Sequence, residues 1–318
     1  MRSPRHSRFP FLALLPLIPL VMALVACGAT TSIVGSTATA TKVAPTATPP
    51  PPSASMLQVV AAQHFADSKS GGTTAPCANG DPLINGDCGQ TVTATCASGD
   101  VVLGGGFQVD DPLAFVTSSF PSGATAWTVT AHDEGQDGGS HPVTITAYAE
   151  CLHANFTAVV SIASSTPNIP NDSNFHEVSV NCPAGSVVTG GGFRGTNSTQ
   201  EIIPAANGWT VGLGIQQGAS TKPSLYALCA GKHLVAASMP MTTANPNLGT
   251  GTSLTVSCPA ASLLTSGGVH TVSYGNLTNL AANSALTQWL ATISALGVVG
   301  GPPSTYAVAE YAVCVTVS

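Results

Sequence analysis

One cysteine-framed cassette occurs three times in this chain. Cys96 is followed by Gly99, the run Gly104-Gly105-Gly106-Phe107, Trp127, the pair Tyr148-Ala149 and then Cys151. Cys182 is followed by Gly185, Gly190-Gly191-Gly192-Phe193, Trp209, Tyr226-Ala227 and Cys229. Cys258 is followed by Ala261, Ser266-Gly267-Gly268-Val269, Trp289, Tyr311-Ala312 and Cys314. The 3 tryptophans fall one per cassette. Self-similarity of this kind fixes architecture, because each copy must be the same supersecondary unit.

Alternation gives the type of element. Val92, Ala94 and Cys96 share one face of an extended chain; so do Val178, Val180 and Cys182, and Leu254, Val256 and Cys258. A period of two is that of a half-buried strand. A second strand runs from Val101 or Val187 into the glycine triplet, where a bulge or a close backbone approach is expected. A third carries the tryptophan, with Val129 and Ala131, Val211 and Leu213, or Ala291 and Ile293 on its face. A fourth ends at the second cysteine, and a fifth precedes each cassette at 57–61, 158–162 and 234–237. Residues 277–296 carry Ala and Leu at helical spacing, but the repeat register sets them opposite two strands, and strand is expected there. The expected fold is all-β: five short strands per unit, with units at about 57–153, 154–231 and 232–318. Units this small bury little surface alone. They are expected to pack round a pseudo-threefold axis with the tryptophans inside; a trefoil or three beads in line would also satisfy the repeat.

The amino-terminal residues read differently. Arg2, Arg5 and Arg8 precede an apolar stretch at 9–26 that Pro10, Pro16 and Pro19 interrupt. This is the layout of a secretory signal rather than of a lasting membrane helix. The stretch ends Leu24-Val25-Ala26-Cys27, which resembles the lipobox of bacterial lipoproteins. The resemblance implies cleavage of 1–26, diacylglycerol on the Cys27 sulfur and a fatty acyl chain, such as palmitate, on its new amine. More than one acyl chain makes attachment stable, at about 0.8 kcal/mol per buried CH₂. Residues 27–56 are then a Thr-, Ala- and Pro-rich tether, too poor in apolar groups to fold. Drawn out as polyproline II at about 3.1 Å per residue, it reaches roughly 60–90 Å. The expected location is extracytoplasmic, anchored to the cell membrane by lipid.

The Cys-Pro-Ala-Gly turn at 182–185 and the glycine-aromatic strand, three times over, resemble vitelline-membrane outer-layer protein I. That resemblance implies a threefold β-prism over residues 90–318.

The chain has 9 cysteines, an odd number for an exported protein. Lipidation of Cys27 leaves eight. The repeat favours Cys96–Cys151, Cys182–Cys229 and Cys258–Cys314, with Cys77–Cys88 stapling an inserted loop. Loops of 55, 47 and 56 residues are each worth about 4 kcal/mol on the chain-entropy model. The rival pairs Cys151 with Cys182, Cys229 with Cys258 and Cys96 with Cys314. No C-x-x-C occurs, so a zinc site is not expected.

Charge excludes one class of partner. Without the leader arginines, five basic residues face 14 acidic ones, and no basic patch exists for nucleic acid. His132, Asp133, Glu134, Asp137 and His141 form the richest polar cluster, the one weak candidate for a metal or for proton transfer; a solvated hairpin loop explains it more simply. Asp81, Asn85 and Asp87 read as turn residues beside Asn-Gly pairs. Glu310 falls on an inward position of its strand, and a bulge turning it outward is expected. Tyr148, Tyr226 and Tyr311 face away from their cysteines, either filling a second layer or offering rings to a sugar. No titratable group recurs with the repeat and no Ser–His–acid set stands out, so no cofactor is expected. The leading expectation is a non-catalytic binding or structural module, with a glycan or an envelope protein as ligand. The alternative is an envelope hydrolase using the acidic residues of the first unit.

Overall fold

The computed structural model describes residues 50–65, 90–112, 114–133, 143–169, 175–195, 199–214, 223–245, 251–271, 275–295 and 307–318. The first unit forms β1 (Ala54–Phe65), β2 (Gln90–Thr95), β3 (Val101–Val109), β4 (Ala114–Pro121), β5 (Ala126–Asp133) and β6 (Val143–Ala154). The second forms β7 (Val159–Ser165), β8 (Phe175–Asn181), β9 (Val187–Arg194), β10 (Thr199–Ala205), β11 (Gly208–Gly214) and β12 (Ser224–Gly231). The third forms β13 (Leu234–Ser238), β14 (Met241–Ala244), β15 (Thr252–Ser257), β16 (Leu263–Thr271), β17 (Gly275–Ala282), β18 (Gln288–Ala295) and β19 (Val308–Val317). The described chain is all-β and contains no helix, and residues 277–295 are strand and turn, as expected.

The first and second units hold one strand more than the five expected, and the third holds two more. The extra strands common to all three units are β4, β10 and β17, between the glycine strand and the tryptophan strand. All three carry a register shift against their partner, between Val116 and Ser118, Thr199 and Glu201, and Leu277 and Asn279. A bulge reverses which side chains face inward, so the period of two is broken inside the strand. The third unit's lead strand is itself split into β13 and β14 around Pro240, which has no N–H for the ladder; its carbonyl still accepts from the Ala312 amide at 3.1 Å.

Three antiparallel sheets result, and each is shared by two units. Their orders are β1-β6-β3-β17-β18-β15, β2-β5-β4-β9-β12-β7 and β13-β19-β16-β10-β11-β8, with β14 also on β19. Every unit thus gives its lead, glycine and final strands to one sheet and its other three to the next. This cyclic exchange is compatible with the pseudo-threefold, prism-like arrangement expected. The joins are short: Phe107 and Gln108 with Leu280 and Asn279, Ser118 and Ser119 with Arg194 and Phe193, Glu201 and Ile202 with His270 and Val269.

The glycine triplet is explained position by position. A side chain at Gly104 or Gly190 would run into Ser266 Cβ, at 2.7 and 3.2 Å, where the glycine strands of the three units converge. The second glycines, Gly105, Gly191 and Gly267, lie against the rings of Trp127, Trp209 and Trp289. The third ones, Gly106, Gly192 and Gly268, lie against the backbone of Leu280, Ser119 and Ile202, at the joins. Equivalent bulges precede the triplet, between Val102 and Gly104, Val188 and Gly190, and Leu264 and Ser266. The Thr265 hydroxyl ties the convergence, donating to the Thr189 carbonyl at 2.7 Å and the Val313 carbonyl at 3.1 Å.

The tryptophans are fully buried in one contiguous core. Three disulfides form, Cys96–Cys151, Cys182–Cys229 and Cys258–Cys314, with Cα separations of 5.6–5.7 Å. Each pairs a strand of one sheet with a strand of another, so all three sheets are cross-linked in turn. They place the domain in an oxidising, extracytoplasmic environment. Cys27, Cys77 and Cys88 lie outside the described residues, as do the leader and most of the tether; residues 54–56, expected at the end of the tether, are already strand β1 because they pair with β6.

Candidate functional site

The outer faces of the sheets, at their joins, carry the repeated polar chemistry. Tyr148, Tyr226 and Tyr311 sit there, half-buried, each directly opposite a third glycine: Gly106, Gly192 and Gly268. They face outward rather than filling a layer between sheets. No side chain stands opposite them, and the backbone of Leu280, Ser119 or Ile202 closes over each glycine at the join. The surroundings differ. Tyr148 donates its hydroxyl to Gln108 Oε1 at 2.9 Å. Burial, and then the neighbouring Glu150 carboxylate, push the Tyr148 phenol up from its ordinary value. Tyr226 stacks on Phe120 with ring centroids 5.4 Å apart, and the Arg194 guanidinium lies 5.4 Å from the centre of the same Phe120 ring. Tyr311 lies beside Met241 of β14 and one diagonal step from His270.

Polar rows cross each sheet from its edge to the join, and they too are equivalent. In the first unit the row is Thr91, Thr130, Ser118 and then Arg194. In the third it is Ser253, Thr292, Asn279 and then Gln108. Hydroxyl pairs link the outer members, Thr91 with Thr130 at 2.9 Å and Ser253 with Thr292 at 3.0 Å. In the second unit the same row is Glu177, Gly212, Glu201 and then His270. His270 Nδ1 lies 2.5 Å from Glu201 Oε1, a charge contact out of hydrogen-bond alignment. Burial drives the Glu201 carboxyl above its usual range; His270 opposes this and Glu177 adds to it.

Two further carboxylates are fully buried. Glu150 accepts from Gln58 Nε2 at 3.0 Å through Oε1, while Oε2 has no partner. Burial lifts it to about 7, with the Gln58 bond opposing. Glu310 is the correction. It does not turn outward: the bulge falls on the facing strand β16, between Leu264 and Ser266, so β19 keeps its alternation. Val308, Glu310, Ala312 and Cys314 all point inward, and Glu310 is 0 % exposed with neither oxygen hydrogen-bonded. Burial pushes it up to about 8, with the Ala291 backbone nearby giving a small offset. Sequence reasoning missed Glu150 and Glu201, because each falls on an outward position that a neighbouring segment covers.

Of the first-unit cluster, His132 and Asp133 end β5, with their backbones paired to Phe115 and Ala114. Glu134, Asp137 and His141 lie outside the described residues, as do Asp81, Asn85 and Asp87. Among the described residues, no group of three His, Cys, Asp or Glu side chains could hold a metal ion. Trp127 Nε1 donates to Ser119 Oγ at 3.0 Å; the equivalent positions are Ile202 and Leu280, so Trp209 and Trp289 keep unpartnered N–H groups.

No family model matches this chain, and no curated protein matches it either.

Proposed function

We propose that this is a lipid-anchored extracytoplasmic protein whose β domain is a non-catalytic binding module for glycans. One observation carries the reading: an aromatic ring recurs at the same position on the outer face of all three sheets, only half-buried and opposite the third glycine. Pyranose rings bind to such surfaces by stacking their C–H faces on aromatics while flanking amides and hydroxyls take the sugar oxygens. Gln108 and Asn279 supply that flank beside Tyr148. The tether at 27–56 fits a domain held off a lipid surface, with Cys27 as the acylated residue. A prism of the vitelline-membrane outer-layer protein I type is the architecture this reading favours, since threefold folds present several equivalent shallow sites.

The test is a glycan array with the soluble domain, followed by titration calorimetry. Binding that falls at least fivefold in Tyr148→Ala and in Tyr311→Ala supports the reading. An array with no hits removes glycans as ligands and leaves an envelope protein. Mass spectrometry of the mature amino terminus reads the anchor: an uncleaved or unmodified Cys27 ends that part.

A further inference from the structure

The second unit departs from its own repeat at one row, and the departure has the chemistry of a cation site. Where the other units place a ladder of hydroxyls and an amide, β8, β11, β10 and β16 place Glu177, Gly212, Glu201 and His270 side by side. At its centre Gly212 stands where the other units have Thr130 and Thr292. The Phe175 ring takes the place of that missing side chain, and Glu201 turns its carboxylate under the ring: Oε2 lies 2.7 Å from where a Gly212 Cβ would stand. Glu201 is only 2 % exposed, and its Oε2 has no hydrogen-bond partner. His270 occupies the other oxygen. Glu177 is exposed beside Gly212, and the Phe175 ring that covers Gly212 from the same strand is itself 42 % exposed.

An unpaired carboxylate oxygen costs free energy when buried, and a cation restores it. With the exposed Phe175 ring turned aside, the place over Gly212 offers that cation two carboxylates and an aromatic face. Among the described residues, Glu177, Glu201 and His270 do not converge as a set that could hold a metal ion, which favours an organic ammonium. Tyr311, on the same outer face and one diagonal step from His270, lies toward the join; its counterpart Tyr148 reaches the residue equivalent to His270. A single ligand that both stacks on Tyr311 and buries an ammonium against Glu201 is an amino sugar.

We infer that the outer face of the β8-β11-β10-β16-β19 sheet binds a glycan bearing a free, protonated amine, with Glu201 and Glu177 taking the ammonium, Phe175 covering it and Tyr311 stacking the sugar ring. This rests on the glycan reading above and narrows it to one chemical class at one of the three tyrosines.

The experiment is calorimetric titration of the soluble domain with a glucosamine tetramer, an N-acetylglucosamine tetramer and a short oligolysine. The glucosamine tetramer is expected to bind at least tenfold more tightly than its acetylated form, since acetylation removes the charge. Glu201→Gln and the exposed, fold-neutral Glu177→Gln are each expected to lower that affinity at least fivefold, while Val159→Ala, exposed on another sheet, leaves it unchanged. Equal binding of both tetramers, or wild-type affinity in Glu177→Gln, overturns the amine site while glycan binding stands. Binding of oligolysine without the glucosamine tetramer overturns it in favour of a basic peptide. Heat from neither tetramer overturns it as well, and hits elsewhere on the glycan array then show that the broader reading survives.

Discussion

Alanine at Gly105, Gly191 or Gly267 is expected to destabilise the domain by about 3 kcal/mol or more, enough to unfold a marginally stable fold. The added Cβ would overlap the indole of Trp127, Trp209 or Trp289 on one side. On the other it would press on the carbonyl oxygen of Tyr148, at 2.5 Å, or of Tyr226, at 2.6 Å, or of Tyr311. Neither neighbour can yield. The indoles are the largest fully buried side chains, and the carbonyls belong to the paired final strand. Overpacking against backbone leaves no rotamer to relax into. Gly231→Ala is the control, because nothing lies within 4 Å of its added Cβ; its effect should stay within about 0.5 kcal/mol. Urea unfolding of the four variants decides the matter. A Gly191→Ala midpoint equal to that of Gly231→Ala would mean that the tryptophans do not pack on the glycine strand.

The second large effect has the opposite sign. Glu310→Leu is expected to stabilise the domain at pH 8, by about 3–5 kcal/mol. Leu225 occupies the same position in the second unit and Ala147 in the first, so the site accepts an apolar side chain. The folded-state value of Glu310 is about 8 against 4.5 for a free glutamate. The folded state therefore holds its proton over a range where the unfolded chain has lost it. Its contribution is undiminished below pH 4.5 and declines as pH rises, until the folded carboxyl itself ionises near 8. Glu150, raised to about 7, gives a slope of the same sign that ends earlier. Wild-type stability should thus fall between pH 5 and 8, and Glu310→Leu should abolish the part of the fall between pH 7 and 8. Glu310→Gln separates charge from packing: it removes the Glu310 part of the pH dependence but leaves a buried polar group. Thermal unfolding at pH 5, 7 and 8 reads all three proteins. A leucine variant that tracks the wild type across that range would place the carboxylate in water.

Much of this fold is written in the repeat. Cys96, Trp127 and Cys151, with their two later copies, mark strands that meet across sheets, and alternation around them placed the inner faces correctly. The disulfide pairs followed from the same register. The tyrosines' outward direction followed from their odd spacing to the cysteines. What escaped has a physical reason in each case. The strands β4, β10 and β17 bulge near Thr117, Gln200 and Thr278, and a bulge erases the period by which a strand is recognised. The exchange of half-units between sheets depends on joins only two residues long, which leave no trace in composition. Glu310 was assigned to solvent because a buried carboxylate is costly, yet the bulge that would have released it lies on the opposite strand. Glu201 and Glu150 look like ordinary surface residues until the covering segments are seen. The row of Glu177, Gly212, Glu201 and His270 spans residues 177–270, and only pairing of four strands brings it together.

The fold rests on three similar units, each closed by its own disulfide between two sheets. Peptide mapping of the exported, unreduced protein tests this most directly. It should recover Cys96 linked to Cys151, Cys182 to Cys229 and Cys258 to Cys314, with no free thiol among the six. Peptides linking Cys151 to Cys182 or Cys229 to Cys258, or alkylation of these cysteines without prior reduction, would contradict the account.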